Sequence, residues 1–232
     1  VVLLVVSGPE GRPMAVSFSL AYSMRRMLKT NNLVRRMHAC ETMGATTVIC
    51  TDKTGTLTQN QMQVSQIDFY GDLPQNVIDE AIAVNSTALL DLSAEERAKV
   101  LGNPTEGALL LWLHGRKVDY RTIRDKADVV AELPFSTERK YMATEVRSAS
   151  GERRLYVKGA PEIVLGLCEK FPAGVERKAI EATLGSWQEQ ALRTLAFAYA
   201  VIDKDDPSPI ADNSLNIPSG LIFMGLAAIS DP

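Results

Sequence analysis

Hydrophobic and polar positions along this chain change rhythm three times. An apolar run from Val1 to Val6 breaks at Ser7-Gly8-Pro9-Glu10-Gly11-Arg12-Pro13, then resumes from Met14 to Met24 and closes on Arg25-Arg26. Proline and glycine on both sides of one acid are incompatible with an ordinary soluble helix. A second, short run, Thr47-Val48-Ile49-Cys50, reads as a buried parallel strand. From Met62 the rhythm alternates, Met62-Gln63-Val64-Ser65-Gln66-Ile67, as in a half-buried strand. Further on, the pattern predicts helices over 73–88 and 104–115 and strands over 131–133, 141–147 and 153–157. Helices follow over 161–168 and 175–192, then a strand over 195–202. Residues 203–219, rich in Pro, Asp and Ser, read as a connection, and 221–229 is strand-like again. With a hinge at 59–63, this order predicts a mixed-sheet domain inserted into a doubly wound α/β domain, to which the chain returns through 221–229. No internal repeat or low-complexity tract interrupts it.

Composition narrows the field. A chain of 232 residues can hold one or two domains with real cores. A hydrophobic fraction of 46% is ordinary for a soluble globular protein, and a net charge of −3 gives no reason to expect nucleic acid as a partner. Cys40, Cys50 and Cys168 lie far apart, which excludes a disulfide framework or zinc knuckle as the default and fits a reducing cytosol. The chain starts inside an apolar run without an initiator Met or signal peptide, and it stops on Asp231-Pro232 directly after a strand-like segment. It is therefore expected to be a fragment of a longer protein.

The densest chemistry follows the second apolar run, at Asp52-Lys53-Thr54-Gly55-Thr56-Leu57-Thr58. An acid just past a strand end sits where open α/β sheets place their ligands, and the small residues after it can close backbone N–H groups around a phosphate. A carboxylate in that position can attack a phosphoryl group and become an aspartyl phosphate. The plain alternative is a strand-to-turn corner. Four further places stand out. In Lys158-Gly159-Ala160-Pro161-Glu162 a lysine ends a strand beside a bulk-free backbone, and Pro161 opens a helix. That suits the approach of a nucleotide, or is an ordinary strand–turn–helix corner. In Phe135-Ser136-Thr137-Glu138-Arg139-Lys140 an aromatic can stack on a base while basic residues reach phosphates, although a Phe after Leu133-Pro134 is also a core position. Asn103-Pro104-Thr105-Glu106 reads as a capping box. Arg193, between apolar neighbours, reads as a snorkelling side chain. His38 and His114 have no evident partners. The break around Glu10 is either a loop before an amphipathic helix or an unwound membrane segment whose carbonyls and carboxylate can hold a cation. On the second reading Arg25, Arg26, Lys29, Arg35 and Arg36 mark the cytoplasmic side.

The run Asp52 to Thr58 resembles the phosphorylation signature of the P-type ATPases, the ion-pumping family, and the likeness extends along nearly the whole chain. The segment at Lys158 is similar to a hallmark of that family's nucleotide domain. Pro9-Glu10-Gly11-Arg12-Pro13 resembles the PEGLP segment of the fourth transmembrane helix in plasma-membrane-type calcium pumps, and residues 31–44 resemble the same pumps. The resemblance implies an incomplete haloacid-dehalogenase-like (Rossmann-type) phosphorylation domain with an inserted α+β nucleotide-binding domain and a partial transmembrane helix. The implied boundaries are 1–30 for the transmembrane and stalk helix, 31–62 for the first part of the phosphorylation domain, 63–218 for the nucleotide domain and 219–232 for the return strand. Implied roles are Asp52 as nucleophile beside Lys53 and Thr54, and Phe135 stacking on adenine with Lys140 near the nucleotide. Glu106 would bond the adenine amino group, Lys158 and Gly159 would line the site, and Arg193 would approach the phosphates. Magnesium is the implied cofactor, held by Asp52 and the Thr54 carbonyl, and Glu10 is the implied ligand of the transported cation, calcium by the nearest resemblance.

Two departures matter. Arg12 stands where the family usually has Leu, and a cation two residues from a cation ligand is unfavourable, so either Arg12 points away, the ion differs or the residue is an aberration. Manganese or monovalent ions stay open because the resemblance places the other cation ligands outside this chain. Thr137 stands where relatives often have Arg, so one phosphate contact is missing or passes to Arg139. The implied function is ATP-driven cation transport by a multi-pass membrane protein, with most of this chain on the cytoplasmic side and ATP, the cation and lipid as partners. The alternative is a soluble phosphatase of the haloacid-dehalogenase type, which shares the strand-end Asp but usually carries a second Asp where this chain has Thr54. The chain by itself is expected to bind ATP weakly and not to pump.

Overall fold

The computed structural model describes residues 11–52, 56, 61–93, 98–148, 151–217 and 220–231. The chain divides into two compact units, residues 1–52 and 53–232. In the first, helix α1 (Gly11–Leu28) carries Pro13 in its opening turn, where a missing N–H costs nothing because its i−4 carbonyl would lie ahead of the helix. It ends with Arg25 and Arg26 against the negative end of the helix dipole and with Asn31 at φ 60, the left-handed conformation Asn tolerates. A short helix, α2 (His38–Gly44), packs on α1, and Cys40 Sγ lies 3.9 Å from Met27 Sδ. No helix among the described residues is long and apolar enough to cross a membrane. The buried strand expected at 47–50 does not form either. Val48 and Ile49 are 73% and 82% exposed, and no described residue pairs with them in a ladder, without which a strand leaves its N–H and C=O groups to water.

The second unit opens with β1 (Gln63–Phe69) and α3 (Gln75–Val84), followed by a small hairpin of β2 (Leu89–Asp91) and β3 (Lys99–Leu101). Next come α4 (Pro104–Gly115), α5 (Tyr120–Lys126), β4 (Asp128–Leu133), β5 (Tyr141–Arg147) and β6 (Arg153–Gly159). The last stretch holds α6 (Pro161–Leu167), β7 (Cys168–Lys170), α7 (Arg177–Glu189), β8 (Arg193–Ile202), the two-residue strands β9 (Ile210–Ala211) and β10 (Ser214–Leu215), and β11 (Leu221–Ser230). The main sheet runs β1-β11-β8-β6-β5-β4, antiparallel throughout, with β7 added parallel to β11.

This arrangement corrects one expectation. Residues 221–230 do not return to another domain; they form an interior strand between β1 and β8. The near-continuous apolar character of Leu221 to Ile229 has its reason there, because both faces of the strand are covered. Ile78, Ile82, Leu109, Leu110 and Leu113 of α3 and α4 pack one face against Phe197, Met224, Ala227 and Ile229. Val164, Leu165, Ile180, Leu184 and Trp187 of α6 and α7 cover the other, against Ala198, Phe223, Leu226 and Ala228. A bulge makes this sharing possible. Phe223 pairs with Ala198 but Gly225 with Phe197, so Met224 is the extra residue, and inward and outward positions exchange parity across it. Gly225 is required at that point, since a Cβ would lie 2.3 Å from the carbonyl oxygen of Asp68.

The polar connection is tied down from inside the sheet. Arg153 on β6 donates through Nη1 to the carbonyls of Asp203 (3.0 Å) and Asp206 (2.7 Å) while its Nε bonds Glu145 Oε1 at 2.8 Å. Glu145 is fully buried, and Ser208 Oγ donates to its other oxygen. Where the chain enters and leaves the sheet, the Gln61 N–H donates to Asp231 Oδ1 at 3.0 Å, so entry and exit lie side by side.

Candidate functional site

A cavity of about 570 Å³ opens where the N-terminus of α4, the loop between β4 and β5, the end of β6 and the start of β8 converge. Glu106, Phe135, Lys140, Lys158, Gly159 and Arg193 all line it, so six residues scattered over nearly ninety positions meet in one place. The antiparallel register makes this happen, pairing Lys158 with Met142 on one side and with Phe197 on the other.

The α4 end follows its sequence only in part. Asn103 caps the helix, its Oδ1 accepting from the Thr105 N–H at 2.9 Å, with Pro104 at the first helical position. Glu106 does not complete the expected capping box. Its Oε2 instead accepts from the Thr87 N–H and Oγ1, both at 2.8 Å, from the Ala88 N–H at 3.2 Å and from Ser86 Oγ at 3.3 Å. Its Oε1 lies 2.8 Å from Lys158 Nζ, and both side chains are buried. Burial raises the Glu106 carboxyl pKa, but the neighbouring Lys158 charge and the hydrogen bonds from Thr87 outweigh it, so the net shift is downward. For Lys158, burial dominates and lowers the pKa despite the carboxylate. The ammonium makes no well-directed hydrogen bond in this pairing, so a buried triple donor faces the cavity with its bonding capacity unmet.

Gly159 is needed for a reason other than room for a ligand. A Cβ there would lie 2.4 Å from the Lys140 carbonyl oxygen and 2.6 Å from Tyr141 Cβ, because the β5 backbone crosses it closely. Lys140 itself adopts φ 58, held by its N–H to the Ser136 carbonyl (2.7 Å) and by its own carbonyl, which accepts from the Ala160 N–H (2.9 Å). Phe135 projects from the same loop, 55% exposed. A large aromatic left so open beside a buried ammonium is not a core residue. Thr137 lines the cavity, whereas Arg139 donates to the Pro134 carbonyl at 2.9 Å and is not among the lining residues. At the opposite rim Arg193 donates from Nη1 to Thr105 Oγ1 at 2.8 Å.

Two contributors escaped the sequence. Met142 adds an apolar wall. Arg124 grips the carbonyls of Ala83 (2.7 Å), Ser86 (2.8 Å) and Ala88 (3.0 Å), fixing the turn whose N–H groups bind Glu106. Nothing in the local sequence of α5 marks it, since its partners are some forty positions away. Of the remaining predicted site residues, Asp52 closes the first unit as exposed coil. Glu10, Lys53 and Thr54 lie outside the described residues.

An open aromatic, a buried lysine and carboxylate, and an exposed arginine surround one cavity, and comparison with known proteins gives the family. The chain belongs to the P-type ATPases: residues 74–232 match the family model described as P-type ATPase, cytoplasmic domain N. Over its whole length it is similar, at 36% identity, to the calcium-transporting ATPase PAT1 of Dictyostelium discoideum and to plasma membrane calcium-transporting ATPase 1 of Homo sapiens. Plasma membrane calcium-transporting ATPase 4 of Homo sapiens is 35% identical, again over all of this chain. The chain spans only 22%, 22% and 21% of these relatives' lengths. The match to domain N runs through residue 232, in keeping with β11 as part of that domain's sheet. Family membership sets aside the soluble phosphatase.

Proposed function

We propose that this chain is the nucleotide-binding and phospho-acceptor part of an ATP-driven cation pump, with calcium as cargo. The observation that carries the reading is the convergence of Phe135, Lys140, Lys158, Glu106 and Arg193 on one cavity within a P-type nucleotide domain. Adenine stacks on the exposed Phe135 ring, and the amino group shares Glu106 Oε1 with Lys158, because Oε2 is already saturated by the 86–88 turn. Lys140 and Arg193 take the phosphates, consistent with two cations at the cavity rim that no ion pair among the described residues neutralises.

In the parent protein the γ-phosphoryl group passes to Asp52, forming the Asp52 Oδ–P bond as the bond from phosphorus to the β,γ-bridging oxygen breaks and ADP leaves. Transfer of this kind depends on positioning and charge stabilisation, which a separately folded nucleotide domain on a hinge at 59–63 supplies. Thr54, in place of a second Asp, leaves no local base to hydrolyse the acyl phosphate, so the intermediate persists long enough to bias a membrane domain between two states. Magnesium would neutralise charge during transfer. Asp52 offers it one hard carboxylate oxygen of the kind it takes, with the Thr54 carbonyl as the second ligand. No group of three or more His, Cys, Asp or Glu among the described residues forms another metal site.

Residues 1–30 are the part that meets lipid in the parent, with Glu10 on the cation path. Met14, Phe18 and Tyr22, spaced four apart on α1 and each more than half exposed, support an apolar face without its partners. Calcium as cargo rests on the relatives' names and on the segment around Glu10. The test is phosphoenzyme formation from γ-labelled ATP in the full-length parent, with and without micromolar calcium. An acid-stable, calcium-dependent label that disappears in Asp52→Asn is expected. A label driven by another cation discards calcium, and no label despite ATP binding discards the pump. Within the present chain, ATP binding that is insensitive to both Phe135→Ala and Lys158→Ala removes the nucleotide assignment.

A further inference from the structure

Arg193 carries a charge that no ion pair among the described residues cancels. Its side chain is exposed. It stands where two cavities meet, lining both the one of about 570 Å³ and a neighbouring cleft of about 430 Å³ bordered by Met62, Ser230 and Asp231. Among the described residues its guanidinium makes one hydrogen bond, from Nη1 to Thr105 Oγ1 at 2.8 Å.

Thr105 is well built for that task. It is the second residue of α4, it is buried, and its N–H is held by the Asn103 cap at 2.9 Å, so its hydroxyl has a fixed place. A hydroxyl orients a guanidinium without neutralising it, whereas a carboxylate at the same point would compete with any incoming anion. A free arginine samples many rotamers, and an anion that must recruit it loses affinity to that ordering. We infer that Thr105 is a positioning residue that holds Arg193 ready for the polyphosphate of the nucleotide. The inference rests on the nucleotide reading of this cavity. Thr105 need not touch the ligand; it acts through Arg193, and only on the charged part of the nucleotide.

The test is calorimetric binding of ATP and of adenosine to the 232-residue chain and to four variants: Thr105→Val, Thr105→Ser, Arg193→Ala and the Val/Ala double. Valine keeps the branched shape and the helix start but loses the acceptor, and serine restores the acceptor. Thr105→Val is expected to weaken ATP binding about 3- to 10-fold, the scale of one hydrogen bond, while adenosine binding is unchanged. Thr105→Ser should bind ATP like the unmodified chain, and Thr105→Val should add nothing in the Arg193→Ala background. Equal losses for ATP and adenosine would show a merely structural helix start and overturn the inference. So would a full Thr105→Val effect without Arg193, or ATP binding untouched by Thr105→Val. If the unmodified chain binds neither ligand, the nucleotide reading itself falls and takes this inference with it.

Discussion

Glu106 and Lys158 form a buried pair, but the structure makes the two partners unequal, and the inequality can be measured. Replacing Glu106 by Ala strands the Lys158 ammonium, which has no well-directed acceptor even now, and orphans the Thr87 and Ala88 N–H groups that bond Oε2. Breaking a buried pair in this way costs about 3–5 kcal/mol, and a buried N–H left bare adds about 1–3 kcal/mol. Lys158 recovers part of this by releasing its proton, a response its burial already favours. A net loss of about 4 kcal/mol is the expectation, a large share of the roughly 5–15 kcal/mol that holds a domain together. Removing the lysine instead, as Lys158→Met, leaves the carboxylate with four protein donors and should cost only about 1–2 kcal/mol. In the double variant no buried charge remains, so the loss should be about 2 kcal/mol, well under the sum of the singles. Urea unfolding followed by tryptophan fluorescence is the assay. Trp112 and Trp187 are the chain's two tryptophans, and both lie in the second unit, so the signal reports that unit alone. Equal costs for the two single variants, or strict additivity in the double, would refute the reasoning. The same pair has a pH signature. Because the folded Glu106 pKa lies below the ordinary value of about 4.3, the unfolded chain binds more protons in the window between the two, and stability rises with pH there. This contribution is complete above the ordinary glutamate value and is lost as pH falls through the lowered one, so Glu106→Ala should flatten the acid limb.

Other perturbations read other parts of the fold. Gly159→Ala forces a methyl group onto the Lys140 carbonyl and should cost about 1–3 kcal/mol in urea unfolding, with Gly166→Ala, which meets nothing within 4 Å, as the benign control. Arg153→Ala leaves the fully buried Glu145 without its cation and frees the carbonyls of Asp203 and Asp206. A loss of about 3–5 kcal/mol and new protease cleavage within 203–217 are expected, and an intact connection with unchanged stability would contradict the anchoring role. Burial pushes the Cys168 thiol up to about 12, so a thiol reagent at neutral pH should label the exposed Cys50 and reach Cys168 only after the second unit unfolds.

What could be read in advance depended on how local each cause was. Local signals placed α4 at Pro104–Gly115 and β5 at Tyr141–Arg147: the Asn103-Pro104 start of the helix, and a short strand whose five central residues are all buried. Runs that owe their chemistry to residue type, such as Asp52 to Thr58 and Lys158 to Glu162, were legible for the same reason, and so was the family. Partners supplied from far along the chain were not legible. Leu221 to Ile229 read as strand-like, but the neighbours β1 and β8 come from about 160 and about thirty positions away, and only their ladder decided which sheet it joined. Thr47 to Cys50 had the apolar run of a strand and lacked a described ladder partner, and apolar residues alone do not satisfy a backbone. Glu106 looked like a helix cap until the turn at Thr87, clamped by Arg124, and the ammonium of Lys158 claimed both its oxygens. Gly159 looked like space left for a ligand until the β5 backbone was found to fill it. The amino-acid sequence by itself determined most of the segments that form helices or strands, and it carried the motifs by which the family is recognised. Tertiary structure decided which carboxylate meets which cation and which strand lies in the middle, because hydrogen bonds and ion pairs act over about 3 Å of space, whatever the distance along the chain.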